Sequence, residues 1–316
     1  RKLPKWAACD GVIFPPHLSM EQCSSEPTAQ YKLNLAMEWA ERVGHAPRMT
    51  DLTGGFGVDF SFTSCAFAVA TYVERNEQLC HIVEHNLPLL GLNNATVVCA
   101  DAVEYLSTVE PQTMLFLDPA RRNEHGAKTV MLADCTPDVV QLLPKLLEKS
   151  RFTMLKLSPM LDWHKAVDDL QGTVREVHIV SVEGECKELL IDLPGTDRPE
   201  APGLLRATAI GRGTRTFHPE QLRDGKPDAG FDPPYGFLLV PDVSLYKIRA
   251  ARCYLQSAGA FAASETGYGF ARHLPDDFLG YAYPIEEIVP YRPKALKTLF
   301  RTRGIERLNL LKRDFP

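Results

Sequence analysis

The chain has 316 residues, 45% of them hydrophobic and 24% charged, with a formal net charge of −5. These are ordinary globular values, and the length suits two domains; disorder is excluded by composition, and no apolar run reaches the ~18 residues a membrane helix needs. Eight cysteines are scattered with no CxxC pair, which argues against structural zinc and a disulfide framework and leads us to expect a cytoplasmic protein.

The start, RKLPKWAACDG, has neither a signal-peptide apolar core nor an initiator Met, so a piece of a longer protein is expected. Residues 1–30 read as an irregular lead-in, and a helix is expected over about Ala29–Val43. Arg48–Asp59 (RMTDLTGGFGVD) then runs an apolar stretch into Asp51, a turn built on Gly54, Gly55 and Gly57, and a helix-forming run from Phe60. Glycines at a strand-to-helix turn let backbone approach a ligand, and the helix start offers unpaired N–H groups. Such a turn suits a nucleotide-like ligand without saying which one.

The next apolar stretch, Ala68–Val73, ends on Glu74, about 20 residues after the glycines, where a doubly wound sheet sets a carboxylate against ribose hydroxyls. Ala95–Cys99 runs into Asp101 and Ala102, and Thr113–Leu117 into Asp118-Pro119-Ala120-Arg121-Arg122. Four successive strand ends therefore carry Asp51, Glu74, Asp101 and Asp118 at the edge where open α/β sheets bind ligands. Helical spacing recurs over Glu77–Leu90 and Pro137–Lys149, and a strand is expected at Phe152–Leu157, followed by a short helix around Trp163–Leu170. Val174–Val182 and Cys186–Leu193 are parted only by Glu183-Gly184-Glu185, which predicts a closing antiparallel hairpin.

The Pro/Gly-rich stretch 194–203 is expected to link a catalytic domain over 31–193 to an α+β domain over 204–316. There we expect a strand at Leu204–Ile210, a helix at Asp242–Ser257, strands near Phe270–His273 and Leu279–Ile288, a helix at Pro293–Arg303 and a strand at Arg307–Lys312. That βαββαβ order is ferredoxin-like. From Tyr291 to Pro316, eight basic side chains face two acidic ones, a local +6 that leaves −11 on the rest. Lys294, Lys297 and Arg301 share one helical face, and with Arg212 and Arg215 they are candidate phosphate contacts for RNA.

Taken together, DLTGGFGVD, YVERN (72–76), CADA (99–102), LDPARR (117–122), KLSPM (156–160) and EQCSSE (21–26) resemble class I S-adenosylmethionine-dependent methyltransferases. In particular they resemble a bacterial family with ferredoxin-like and THUMP-like C-terminal domains, and a catalytic domain similar to trimethylguanosine synthases. The resemblance implies a Rossmann-like sheet ending in an antiparallel hairpin, and a THUMP-like segment after Pro316. It implies that Asp51, Thr53 and the Gly54–Gly57 turn hold the amino-acid end of S-adenosylmethionine, Glu74 the ribose, and Asp101 with Ala102 the adenine. It gives Asp118, Pro119, Ala120 and Arg121 the position of the (Asp/Asn)-Pro-Pro-aromatic motif, whose acid and carbonyl orient a substrate amine. Ala120 and Arg121 depart from it, with the guanidinium standing where an aromatic would stack. Ser25 and Glu26 are expected to close the pocket.

The expected activity is methylation of RNA at a base nitrogen, with no membrane or metal partner. Two other readings stay open: a non-catalytic RNA-binding protein on this scaffold, or a methyltransferase for small molecules or proteins. Two decoys are set aside. Asp232-Pro233-Pro234-Tyr235 matches the amine motif by letter but follows no apolar strand, and His81/Glu84/His85 has zinc-hydrolase spacing without a third ligand.

Overall fold

The computed structural model describes residues 2–15, 23–43, 45–121, 132–196, 203–222, 228–262, 264 and 267–311. It divides into two compact units, residues 1–219 and 220–316. The first opens with α1 (Pro4–Ala7) and α2 (Glu26–Val43), then alternates strand and helix. β1 (Arg48–Asp51), α3 (Val58–Thr63), β2 (Val69–Glu74), α4 (Glu77–Leu89), β3 (Ala95–Cys99), α5 (Ala102–Thr108) and β4 (Gln112–Leu117) come first. A small ribbon, β5 (Ala120–Arg121) with β6 (Cys135–Thr136), precedes α6 (Val139–Lys149), β7 (Ser150–Leu157), α7 (Trp163–Asp169), β8 (Glu176–Val182) and β9 (Glu185–Leu193).

β3-β2-β1-β4-β7-β9-β8 lie side by side, parallel except for β9, which runs antiparallel to both β7 and β8. The expected hairpin is present: Glu183 and Gly184 both take positive φ, the condition for a tight type I′ connection. All six β4 residues, polar Gln112 and Thr113 included, are buried, as a central strand covered on both faces requires. Trp39 of α2 stacks on Phe152 within one core layer, while Leu142, Leu143 and Leu146 of α6 are buried as well.

The sheet does not stop at Leu193, and here the sequence-based boundary needs correcting. β10 (Leu204–Ala209) pairs in parallel with β8, and β11 (Gly213–Phe217) pairs antiparallel with β10, giving nine strands in one sheet. The 194–203 stretch is stitched at both described ends, Thr196 N–H to the Ser150 carbonyl and Leu204 N–H to the Arg175 carbonyl. The Arg206 guanidinium also meets Glu176 at 2.7 Å. β10 and β11 belong to the first unit, and the units part near Pro219.

The second unit holds β12 (Phe237–Pro241), α8 (Val243–Lys247), α9 (Ala251–Ser257), β13 (Phe261–Ala262), β14 (Gly269–Ala271), β15 (Gly280–Pro284) and α10 (Pro293–Thr302). The expected single helix over 242–257 is broken at Arg249, which takes a φ of 63°. Its antiparallel sheet, β13-β14-β12-β15, keeps the ferredoxin-like strand order. No helix joins β14 to β15, and residues 307–311 form no strand, so the order is βααβββα and not βαββαβ. No helix among the described residues is long and apolar enough to cross a membrane.

Candidate functional site

Because β1, β2, β3 and β4 are parallel neighbours, their C-terminal ends open on the same edge. Asp51, Glu74, Asp101 and Asp118 stand there and line one cleft of about 1040 Å³, together with Thr53, the glycine turn, Ala102, Pro119 and Ala120. The structure thus brings together every cofactor and acceptor residue expected from the strand ends and the glycine turn except Arg121. Arg121 forms part of β5, and its side chain lies outside the described residues, as does Arg122.

The turn is built by close packing as much as by conformational freedom. Gly55 and Gly57 take φ of 54° and 82°, in the left-handed region. Gly54 does not; its need is space, since a Cβ there would sit 2.0 Å from the Tyr72 ring. Tyr72 is fully buried, and its hydroxyl donates to the Gly55 carbonyl. Gly54 N–H bonds the Val73 carbonyl at 2.9 Å, and Gly55 N–H bonds the Glu74 carboxylate at 3.1 Å. The loop is therefore clamped to the end of β2, with Glu74 also accepting Asn76 N–H at 2.9 Å. Asp101 accepts from Val103 N–H at 2.8 Å through one oxygen, so it caps α5 as well as lining the cleft.

Electrostatics separates the acids. Burial pushes the Asp51 carboxyl well above the usual carboxylate range; the Thr53 N–H at 3.0 Å offsets part of this, while Asp59 and Asp118 add to it. Asp118 is the most open of the inner acids, its side chain 38% exposed, and burial within the cleft raises its pKa against the pull of Lys156. Lys156 Nζ sits 2.6 Å from Asp118 and 3.1 Å from Asp59. Burial alone would lower this ammonium, but Asp118, Asp59 and Glu188 together lift it well above its ordinary value. Asp59 is also buried, yet Lys156 and Lys32 hold it well below the carboxylate range. Lys32, wholly buried, pairs in turn with Asp59 at 3.0 Å and with Glu188.

This Lys32–Asp59–Lys156–Asp118 chain is what sequence reasoning missed. Its one visible signal was a lysine inside the otherwise apolar run Phe152–Leu157, a charge that burial tolerates only when paired. The N-terminal segment also differs from expectation. Ser24 lines the cleft and bonds Asp59 at 2.7 Å, with Cys23 beside it. Glu26 starts α2 and accepts Lys5 N–H at 2.6 Å, and Ser25 Oγ lies 3.3 Å from Thr28 Oγ1; neither lines the cleft. Glu21 and Gln22 lie outside the described residues. Asp232 is exposed in the second unit, 3.4 Å from Arg272, and His85 bonds the Gly11 carbonyl. No group of three metal-ligating side chains occurs among the described residues.

The family described as THUMP domain-like matches residues 280–316. The match falls on β15, α10 and the residues C-terminal to α10, inside the chain rather than beyond it. Among solved structures, the chain is 27% identical to a protein from Porphyromonas gingivalis W83 designated a methyltransferase, with a TM-score of 0.82, over 95% of this chain and 74% of that one. An S-adenosylmethionine-dependent methyltransferase from Agrobacterium tumefaciens is 16% identical over 52% of this chain and 61% of that one, at a TM-score of 0.41. An rRNA methylase from Streptococcus thermophilus is 14% identical over 52% and 96%, at 0.38. The last two likenesses are weak. No curated protein matches this sequence.

Proposed function

We propose that this chain, which has the class I methyltransferase fold with a THUMP-like segment at its C-terminal end, methylates RNA at a base nitrogen using S-adenosylmethionine. The observation that carries the reading is the convergence of four strand-end acids and the clamped glycine turn on one cleft. The donor set fits the cofactor. Asp51 is a buried acid that the cofactor's ammonium would hold ionised, and Glu74 has two of its roughly four lone-pair sites taken by backbone N–H groups, leaving two for ribose hydroxyls. Asp101 spends one oxygen on capping, so the other, with Ala102 N–H, is assigned to the adenine. Thr53 belongs to the same set through its N–H bond to Asp51, and its hydroxyl accepts Asp118 N–H at 2.6 Å, coupling the cofactor half to the acceptor half.

When bound, the cofactor supplies a methyl group activated by its sulfonium. Asp118 and the Pro119 carbonyl accept hydrogens from the acceptor amine and aim its lone pair along the transfer line, with Ala120 lining the cleft beside them. Asp118 would then take the surplus proton of the methylated nitrogen and release it to solvent. A base in a duplex must be unpaired to enter the cleft. The exposed basic residues of α10 supply the phosphate contacts, and the eight unbridged cysteines fit a reducing, cytoplasmic setting.

Calorimetry with S-adenosylhomocysteine tests the cofactor half: the chain binds it, and Glu74→Ala weakens binding at least tenfold. Transfer of labelled methyl groups to total cellular RNA tests the rest. Absence of binding by the unsubstituted chain refutes the whole reading; binding without any transfer to RNA refutes the acceptor.

A further inference from the structure

Asp118 is bounded on every side by charge. Lys156 approaches from β7, Asp59 from the start of α3, Glu188 from β9 and Asp51 from the end of β1, with Lys32 of α2 behind Asp59. Of these only Lys156 touches its carboxylate, at 2.6 Å on Oδ2. Lys156 is itself fixed by a second bond, to Asp59 Oδ2 at 3.1 Å, and Asp59 is fixed by Ser24 at 2.7 Å and Lys32 at 3.0 Å. An ammonium so anchored cannot follow Asp118; Asp118 must conform to it. Without that ammonium, burial and the nearby Asp59 and Glu188 carboxylates would all favour the neutral form of Asp118.

We propose that Lys156 is a positioning residue for Asp118: it holds that carboxylate ionised and occupies Oδ2, so that Oδ1 alone is presented to the acceptor amine. The inference rests on the role given to Asp118 above, but it concerns a charge state that can be read without turnover. A protonated Asp118 would offer the amine a competing O–H donor; the paired form offers an acceptor only. The buried network back to Ser24 also makes the N-terminal segment a structural support for Asp118.

Carbon-13 NMR of the aspartate carboxyl groups, with the Asp118 resonance assigned by its loss in Asp118→Asn, tests this directly. Lys156→Met should move the Asp118 titration to higher pH, and Lys156→Arg should return it toward the unsubstituted midpoint. Asp59→Asn removes a neighbouring anion and leaves Lys156 to Asp118, so the midpoint should fall. Should Lys156→Met not fold, Lys156→Gln, which keeps a hydrogen-bond donor and loses the charge, should raise the midpoint in its place. A midpoint that stays in place in a folded Lys156→Met or in Asp59→Asn overturns the proposal. Failure of the unsubstituted chain to bind S-adenosylhomocysteine would instead overturn the cofactor reading, while leaving the titration result intact.

Discussion

Gly54→Ala is the sharpest test of how the cleft is built. A Cβ at Gly54 would lie 2.0, 2.3 and 2.7 Å from three carbons of the Tyr72 ring. Contact between carbons becomes favourable only at about 3.5–4.0 Å, so the ring would have to retreat by about 1.5 Å. It has nowhere to go: Tyr72 is fully buried, meets Phe60 edge-on at 5.6 Å and is tied through its hydroxyl to Gly55. Overpacking of this kind costs about 1–3 kcal/mol, and a clash against a pinned ring belongs at the top of that range. For a unit of this size about 3 kcal/mol lowers the melting temperature by about 6–12 °C. Gly55→Ala is the control, because its Cβ would meet nothing nearer than 3.9 Å; its penalty is only the left-handed φ, about 1–2 kcal/mol. Thermal melts with and without S-adenosylhomocysteine measure both. In a Tyr72→Leu background the Gly54→Ala cost should largely vanish, a coupling of about 2–3 kcal/mol. A Gly54→Ala protein melting within about 2 °C of the unsubstituted chain, or above Gly55→Ala, would refute the packing argument.

Other outcomes rest on the same geometry. Asp118→Ala should abolish methyl transfer while S-adenosylhomocysteine affinity stays within a few-fold; joint loss of both would remove Asp118 from an acceptor role. Replacing Lys294, Lys297 and Arg301 together by Gln should weaken RNA binding and flatten its logarithmic salt dependence by about 2, from three phosphate contacts at ~0.7 each; an unchanged slope would clear that face. His178 is buried, with Arg206 and Arg175 nearby, and its pKa is pushed down to about 3. The unfolded chain takes up that proton near pH 6.5 and the folded one does not, so stability falls as pH drops from about 6.5 toward 3, by at most about 5 kcal/mol. His178→Gln should reduce this slope in denaturant titrations between pH 7 and 4; an identical slope would show that another group carries it.

The strand ends were legible because a parallel sheet writes them into the sequence twice, as apolar runs and as the acid after each run. Asp51, Glu74, Asp101 and Asp118 needed no tertiary knowledge to be found, and neither did the hairpin at Glu183 and Gly184. Local chemistry was a poorer guide to boundaries. The Pro/Gly stretch after Leu193 has the composition of a linker, but backbone pairing of β10 with β8 is a property of two segments and appears in neither alone. In the same way, Arg249 breaks a helix that composition would continue, and the β14–β15 connection carries no helix.

What the sequence by itself determined was therefore the class of sheet and the acids at its ligand edge, since both come from periodicity along one strand at a time. What only the tertiary structure decided was their state. Lys32, Asp59, Lys156 and Glu188 come from α2, α3, β7 and β9, as many as 156 positions apart, and meet only when the sheet has closed around them. Charge is a long-range property of the folded interior, so the sequence could name Asp118, but only the fold could set Lys156 beside it.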